Sequence, residues 1–147
     1  MNIDRKEIRK KWAELVETEM VGTGKLLVSV SAYPTQEVTG SPFLAIRSES
    51  TERNYDFVGS DFSGTIELKN YILVSLNKDV ANGYDEEDAM DLLDDIDYQF
   101  SEAVKKYRQT DKWENLTYAE PTKVSVEQVE NEGYYLKEEI TLRFQIL

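Results

Sequence analysis

Apolar residues at three- and four-residue spacing open the chain. In "MNIDRKEIRKKWAELVETEM", Ile8, Trp12, Leu15, Val16 and Met20 share one face of a helix. Asp4 stands where an N-cap belongs, and Glu7 follows three residues later, as in a capping box. Ile3 and Ile8 have the spacing of a hydrophobic staple, and Gly22 and Gly24 close the helix. The same period returns later. Ala89, Leu92, Leu93, Ile96, Phe100, Ala103, Val104 and Tyr107 form the stripe of a second helix. Elsewhere the period is two. "KLLVSVSAY" sets Leu26, Val28, Val30 and Ala32 on one side until Pro34 stops the strand. "SPFLAIRSES" is a second strand. "TIELKNYILVSLNKD" is a third, with a bend expected near Lys69 and Asn70. "TDKWENLTYAEP" reads as a connector. "TKVSVEQV" alternates Val124 and Val126, and Asn131-Glu132-Gly133 supplies turn chemistry. "YYLKEEITLRFQIL" then sets Ile140, Leu142, Phe144 and Ile146 against Thr141, Arg143 and Gln145, a strand that pairs back as a hairpin.

The order α-β-β-β-α-β-β predicts an α+β fold. A mixed or antiparallel sheet of about five strands is packed by two amphipathic helices in two layers. The helices are expected near residues 4–20 and 86–107, on a sheet that includes 26–33, 66–76 and 135–146. With 147 residues and no linker or repeat, 1–147 is expected to be a single domain. The polar, glycine-containing stretch "RSESTERNYDFVGSDFSG" is expected to protrude as a loop or hairpin around 47–64. Excursions of that length in compact domains are usually functional.

Composition narrows the chemistry. The chain has no cysteine and no histidine. Disulfides, thiolate metal sites, cysteine nucleophiles and the usual neutral-pH general base are therefore excluded. No apolar run is long enough to span a membrane, and the first residues are charged rather than apolar as in a signal peptide. The formal net charge of −12 opposes binding to nucleic acid or anionic membranes.

"GYDEEDAMDLLDDIDYQF" concentrates that charge, with eight carboxylates and no basic residue from Asp85 to Asp97. No register gives an EF-hand loop, and a di-metal carboxylate bundle needs histidine. Glu87, Asp91, Asp94 and Asp95 lie opposite the Leu92/Leu93/Ile96 stripe and should be ordinary solvated acids, not a catalytic pair. There is no phosphate loop and no nucleophile elbow. No enzyme, no cofactor, no metal and no catalytic residue are expected. Asp85 to Asp88 favour the macrodipole of the helix N-terminus. The acids beyond them extend one sign for two further turns, where like charges repel by a few tenths of a kcal/mol per pair. Either the face is simply solvated, or it meets a partner of opposite charge or repels an anion. One source of opposite charge is "DRKEIRKKW", in which Lys6 and Lys10 face away from the apolar stripe. A basic helix start meeting an acidic helix across a subunit boundary is a heterologous, ring-forming contact.

The full order of elements resembles the tail-terminator, or tail-completion, proteins of long-tailed bacteriophages. The similarity runs from the first helix through "SPFLAIRSES", the polar excursion, "NYILVSLNKD" and the acidic helix. It continues through "LTYAEPTKVSVE" to the closing strand. The resemblance implies a structural virion protein, made in the host cytoplasm and located in the virion tail. It implies a homohexameric ring that caps the tail tube, stops its polymerisation and joins it to a head-neck protein. DNA would pass without being specifically bound, and no membrane would be involved. Lys6, Lys10, Glu87, Asp91, Asp94 and Asp95 would lie at the subunit interface or lumen. Arg53, Tyr55, Phe57 and Phe62 would dock the excursion on the tail-tube protein. Other phage neck, head-tail connector or minor tail proteins share much of this pattern. A small acidic binding module, a DNA mimic or regulator, is the alternative from another class.

Overall fold

A computed structural model of the chain describes residues 3–34, 40–53, 63–76, 84–129 and 133–146. Two helices and six strands appear in it. They are α1 (Arg5–Met20), β1 (Ser29–Ser31), β2 (Phe43–Arg53), β3 (Gly64–Leu76), α2 (Glu86–Lys106), β4 (Asn115–Tyr118), β5 (Lys123–Val129) and β6 (Gly133–Ile146). The fold is α+β, with one mixed sheet in the order β1-β2-β3-β6-β4. β1 runs parallel to β2, and the other pairings are antiparallel. β4 and β5 both pair with β6, opposite 142–145 and 133–139 respectively. They act as one interrupted edge strand, broken where Pro121 cannot donate to the ladder.

Both helices lie on one face of the sheet. The capping reading of α1 holds: the Asp4 carboxylate accepts from the Glu7 amide at 3.0 Å. Asp85 does the same for the Asp88 amide at 2.8 Å. Ile8, Trp12, Val16 and Met20 of α1 join Ala89, Leu93, Ile96 and Phe100 of α2 over Leu44, Ile46, Ile66, Leu68, Ile72, Ile140, Leu142 and Phe144. Trp12 is the hinge of this layer. It makes edge-to-face contacts with Phe100 at 5.8 Å, Phe144 at 5.8 Å and Trp113 at 6.4 Å. The helix ends are tied by Glu19, which accepts from Lys106 at 2.7 Å and from the Tyr107 hydroxyl at 2.5 Å.

Three local expectations change. The first strand is only three residues long, Ser29–Ser31, and just before it Leu27 is buried while Val28 is exposed. The Leu27 amide is held by the Met20 carbonyl at the end of α1. Leu26, Val30 and Ala32 pack against the core as expected, and Val28 does not. β3 is continuous, without a ladder shift at Asn70. Asn70 is instead buried, accepting from Trp12 Nε1 at 2.8 Å. The connector contains a strand, β4, anchored by the buried Trp113 and Leu116. Of the two readings of 47–64, loop or hairpin, the pairing fits the hairpin: residues 47–53 are strand, since β2 stays paired with β3 as far as Arg53 opposite Gly64. The excursion is thus a hairpin whose arms are long, and its tip lies outside the described residues.

Gly64 closes the base of that hairpin by close approach. A Cβ there would stand 2.1 Å from the Glu52 carbonyl oxygen and 2.8 Å from Ile3 Cδ1. Only glycine fits, and Ile3, just before the α1 cap, packs into the space.

Candidate functional site

The acidic face of α2 follows from helix geometry. With Ala89, Leu93, Ile96 and Phe100 buried against the sheet, Glu87, Asp91, Asp94 and Asp95 are turned outward, and all four are exposed. Among the described residues none of the four has an ion pair; α2 forms its pairs at its basic end, through Lys105 and Lys106. No group of three acids in the described residues converges as a metal-holding cluster.

Lys6 and Lys10 are exposed on α1 and, among the described residues, have no carboxylate partner either. Lys10 and the neighbouring Arg9 instead face Tyr33. Chiefly the charge of Lys10 lowers the pKa of that phenol, and the Arg9 guanidinium lies 5.0 Å from the ring centroid. Within one subunit the basic start of α1 therefore does not meet the acidic face of α2. The cross-helix ion pair that does form has the opposite sense, with Glu19 on α1 and Lys106 on α2. Arg53 is exposed at the end of β2, whereas Tyr55, Phe57 and Phe62 lie outside the described residues.

The most perturbed acid was not among the residues singled out. Glu138 of β6 is 3 % exposed, on the helix-covered face of the sheet. Its ladder partners are Ile72 on one side and Val124 on the other. Burial, then a hydrogen bond with Asp97, then the charges of Asp97 and Asp94 push its pKa up to about 9. It is a neutral acid at pH 7. One of its oxygens, Oε1, is buried and has no hydrogen-bond partner. Tyr118 of β4 stands on the same side, and burial followed by the charges of Asp97 and Glu138 raises its hydroxyl pKa to about 12. The sequence carried a signal for Glu138. Counting back by two from Phe144, Leu142 and Ile140 puts position 138 on the inward face.

Beside this cluster the sheet runs out from under the helices. α1 covers the β1–β2 side and α2 covers β3 and β6, so nothing in the described residues covers β5. Val124 and Val126 face the helix layer yet are 49 % and 54 % exposed. Tyr98, Tyr118 and Tyr134 are also exposed. The result is a strip of apolar and tyrosine side chains along the β4/β5 edge, bordered by the acids of α2. Tyrosine-rich, apolar surface of this kind is typical of protein interfaces.

The opposite face of the sheet carries a mixed-charge lattice. Lys69 pairs with Glu139 at 3.1 Å, Lys137 with Glu127 at 2.8 Å and Arg143 with Glu67 at 3.4 Å. Hydrogen bonding to Lys69 holds the Glu139 carboxyl below its ordinary range. This face is balanced in sign, in contrast to α2. Among the described residues no helix is long and apolar enough to cross a membrane. No protein-family model and no curated protein matches the chain.

Proposed function

We propose that the chain is a self-assembling structural subunit of the tail-terminator kind. It would form a closed ring on the tail tube of a long-tailed bacteriophage, end tube growth and meet the head-neck protein. The observation that carries this reading is the separation of charge. The exposed acids of α2 and the exposed basic start of α1 have no partner in each other within one subunit, although both belong to the same helix layer. Two different, complementary surfaces are what a heterologous, ring-closing contact requires. The β4/β5 edge adds exposed apolar area, from which most of the affinity must come, since exposed ion pairs contribute about 0–1 kcal/mol each.

Three further features support it. The α-β-β-β-α order and the closing antiparallel strands follow the pattern of the resemblance. β2 ends on exposed Arg53, one of the residues expected to dock on the tube. A formal charge of −12 per subunit, repeated around a ring, repels DNA in transit. A tube-capping assay tests the proposal. Substoichiometric protein added to polymerising tail-tube subunits should stop elongation and leave rings at tube ends in electron micrographs. Tubes that grow to unchanged length with bare ends would contradict it.

A further inference from the structure

The tie between the helices defines two outer flanks. Lys106 donates to Glu19 at 2.7 Å, so these two residues mark the sides on which α2 and α1 face each other. Lys10 stands nine positions before Glu19, and Asp97 nine before Lys106. Nine positions make about two and a half turns, so each of the two points away from the other helix. Lys6 and Asp94 lie one turn earlier on the same flanks, and Met90 a turn before Asp94. α1 lies on β1 and β2, and α2 on β3 and β6. The basic flank of α1 is therefore turned toward the β1 end of the sheet, and the acidic flank of α2 toward the β4/β5 end.

Each end of the sheet carries exposed apolar side chains beside charge of one sign. At the β1 end Val28 and Tyr33 are exposed, and the Arg9 guanidinium lies 5.0 Å from the Tyr33 ring centroid, so the basic flank reaches this edge. At the β4/β5 end Val124, Val126 and Met90 are exposed beside Asp94 and Asp97. An edge strand presents unpaired backbone groups as a template for another chain, and here no helix of the described residues covers it. Five of the 17 Lys and Arg residues of the chain fall between Arg5 and Lys11, so the complement to the acidic end is concentrated at the opposite end of the same molecule.

We propose that the β4/β5 end of the sheet is the docking surface for the β1 end of a second copy of this chain. α2 of one copy then lies beside α1 of the next, and the sheet and its helix layer continue across the boundary. Charge complementarity selects this occupant. Two β4/β5 ends set together would bring Asp94 and Asp97 against their own equivalents, and like charges placed face to face are costly. The joined ends differ, so the contact repeats head to tail. It rests on the ring reading and deepens it. The β4/β5 strip gains a counterpart in Val28 and Tyr33, and the charged part of the contact centres on Asp94 and Asp97, with Asp91 at its rim.

The chain has no cysteine, so introduced thiols report the contact alone. Val28→Cys and Val126→Cys change exposed positions at opposite ends of the sheet and leave the core intact. Treated with a short bismaleimide, the double variant should give a ladder of covalent oligomers on a denaturing gel, ending at the ring. Each single variant should give none, which controls for chance collision, and the two single variants mixed should give dimers only. Lys6→Glu/Lys10→Glu should weaken association at least about tenfold, and adding Asp94→Lys should recover part of the loss. Circular dichroism of each variant checks that the fold is kept. If either single variant cross-links to itself as readily as the double variant, like ends meet and the proposal fails. If the parent assembles in sedimentation velocity but the double variant gives no ladder, the contact lies elsewhere; the proposal fails and the ring reading stands. A ladder without limiting size keeps this contact and overturns the ring. A parent that stays monomeric at every concentration overturns both.

Discussion

Glu138 makes a stability prediction of its own in the free subunit. Its pKa is raised from an ordinary 4.5 to about 9 on folding, so between those values the folded state holds a proton that the unfolded state has lost. Stability then falls as pH rises through that window. At pH 7 the burden is the distance from 4.5 at 1.36 kcal/mol per unit, about 3 kcal/mol. Glu138→Gln should raise the urea midpoint at pH 8 and flatten the dependence between about pH 5 and 8.5. An unchanged or lowered midpoint at pH 8 would contradict a Glu138 held neutral by burial. Trp12 is the converse case. Trp12→Phe removes the donor to Asn70 Oδ1 at 2.8 Å and strands a buried amide that also donates to the Leu68 and Ile140 carbonyls. The expected loss is about 1–3 kcal/mol by denaturation. A loss below about 0.5 kcal/mol would show that Asn70 finds another partner. Asn70 looked like a bend in the sequence because a polar residue interrupts an apolar strand. Its reason, a tryptophan 58 positions away, is a tertiary fact no local pattern contains.

At the scale of elements, legibility followed the strength of the period. α1, α2, β3 and β6 each bury a full stripe and lie where the spacing placed them. β4 was hidden because its four residues carry one buried apolar side chain, Leu116. β5 alternated correctly, but Val124 and Val126 are exposed: alternation marks a face without saying whether a helix covers it. β1 is shorter than the alternation suggested, and Val28 is left exposed while Leu27, held by the end of α1, is buried. The β2–β3 hairpin yields the element-level test. Gly64→Ala forces a Cβ against the Glu52 carbonyl at 2.1 Å and against Ile3. The pair must part, and the expected cost is about 1–3 kcal/mol. Faster hydrogen exchange at 50–53 and 64–67 should accompany it, with α2 unchanged. Equal protection in both chains would show that the base of the hairpin gives way freely.

At the scale of the molecule, the fold class was legible and the candidate interface only half so. The outward direction of Asp91, Asp94 and Asp95 follows from the helix wheel. The burial of Glu138 on the helix-covered face needs the sheet and its helix layer assembled, which no local pattern contains. Salt separates the two parts of the proposed contact. Charge attraction between exposed groups is screened within about 10 Å at 0.1 M salt, whereas apolar burial is not. Raising salt should slow ring formation more than it speeds dissociation, which stopped-flow light scattering and dilution would resolve. Equal effects on both would place the charges inside the transition state and the bound state alike. Reversal of Lys6 and Lys10 to Glu should slow assembly without unfolding the subunit. Adding Asp91→Lys and Asp95→Lys in the same chain should partly restore it.

The central claim is that this chain closes into a ring, and the mass of the purified protein in solution tests it most directly. Sedimentation velocity over a wide concentration range, at moderate salt and pH 8, should show one discrete assembly, with a hexamer expected. Its share should grow with concentration, without species between monomer and ring accumulating. A single monomer boundary at every concentration, or open-ended polymers with no limiting size, would contradict the account.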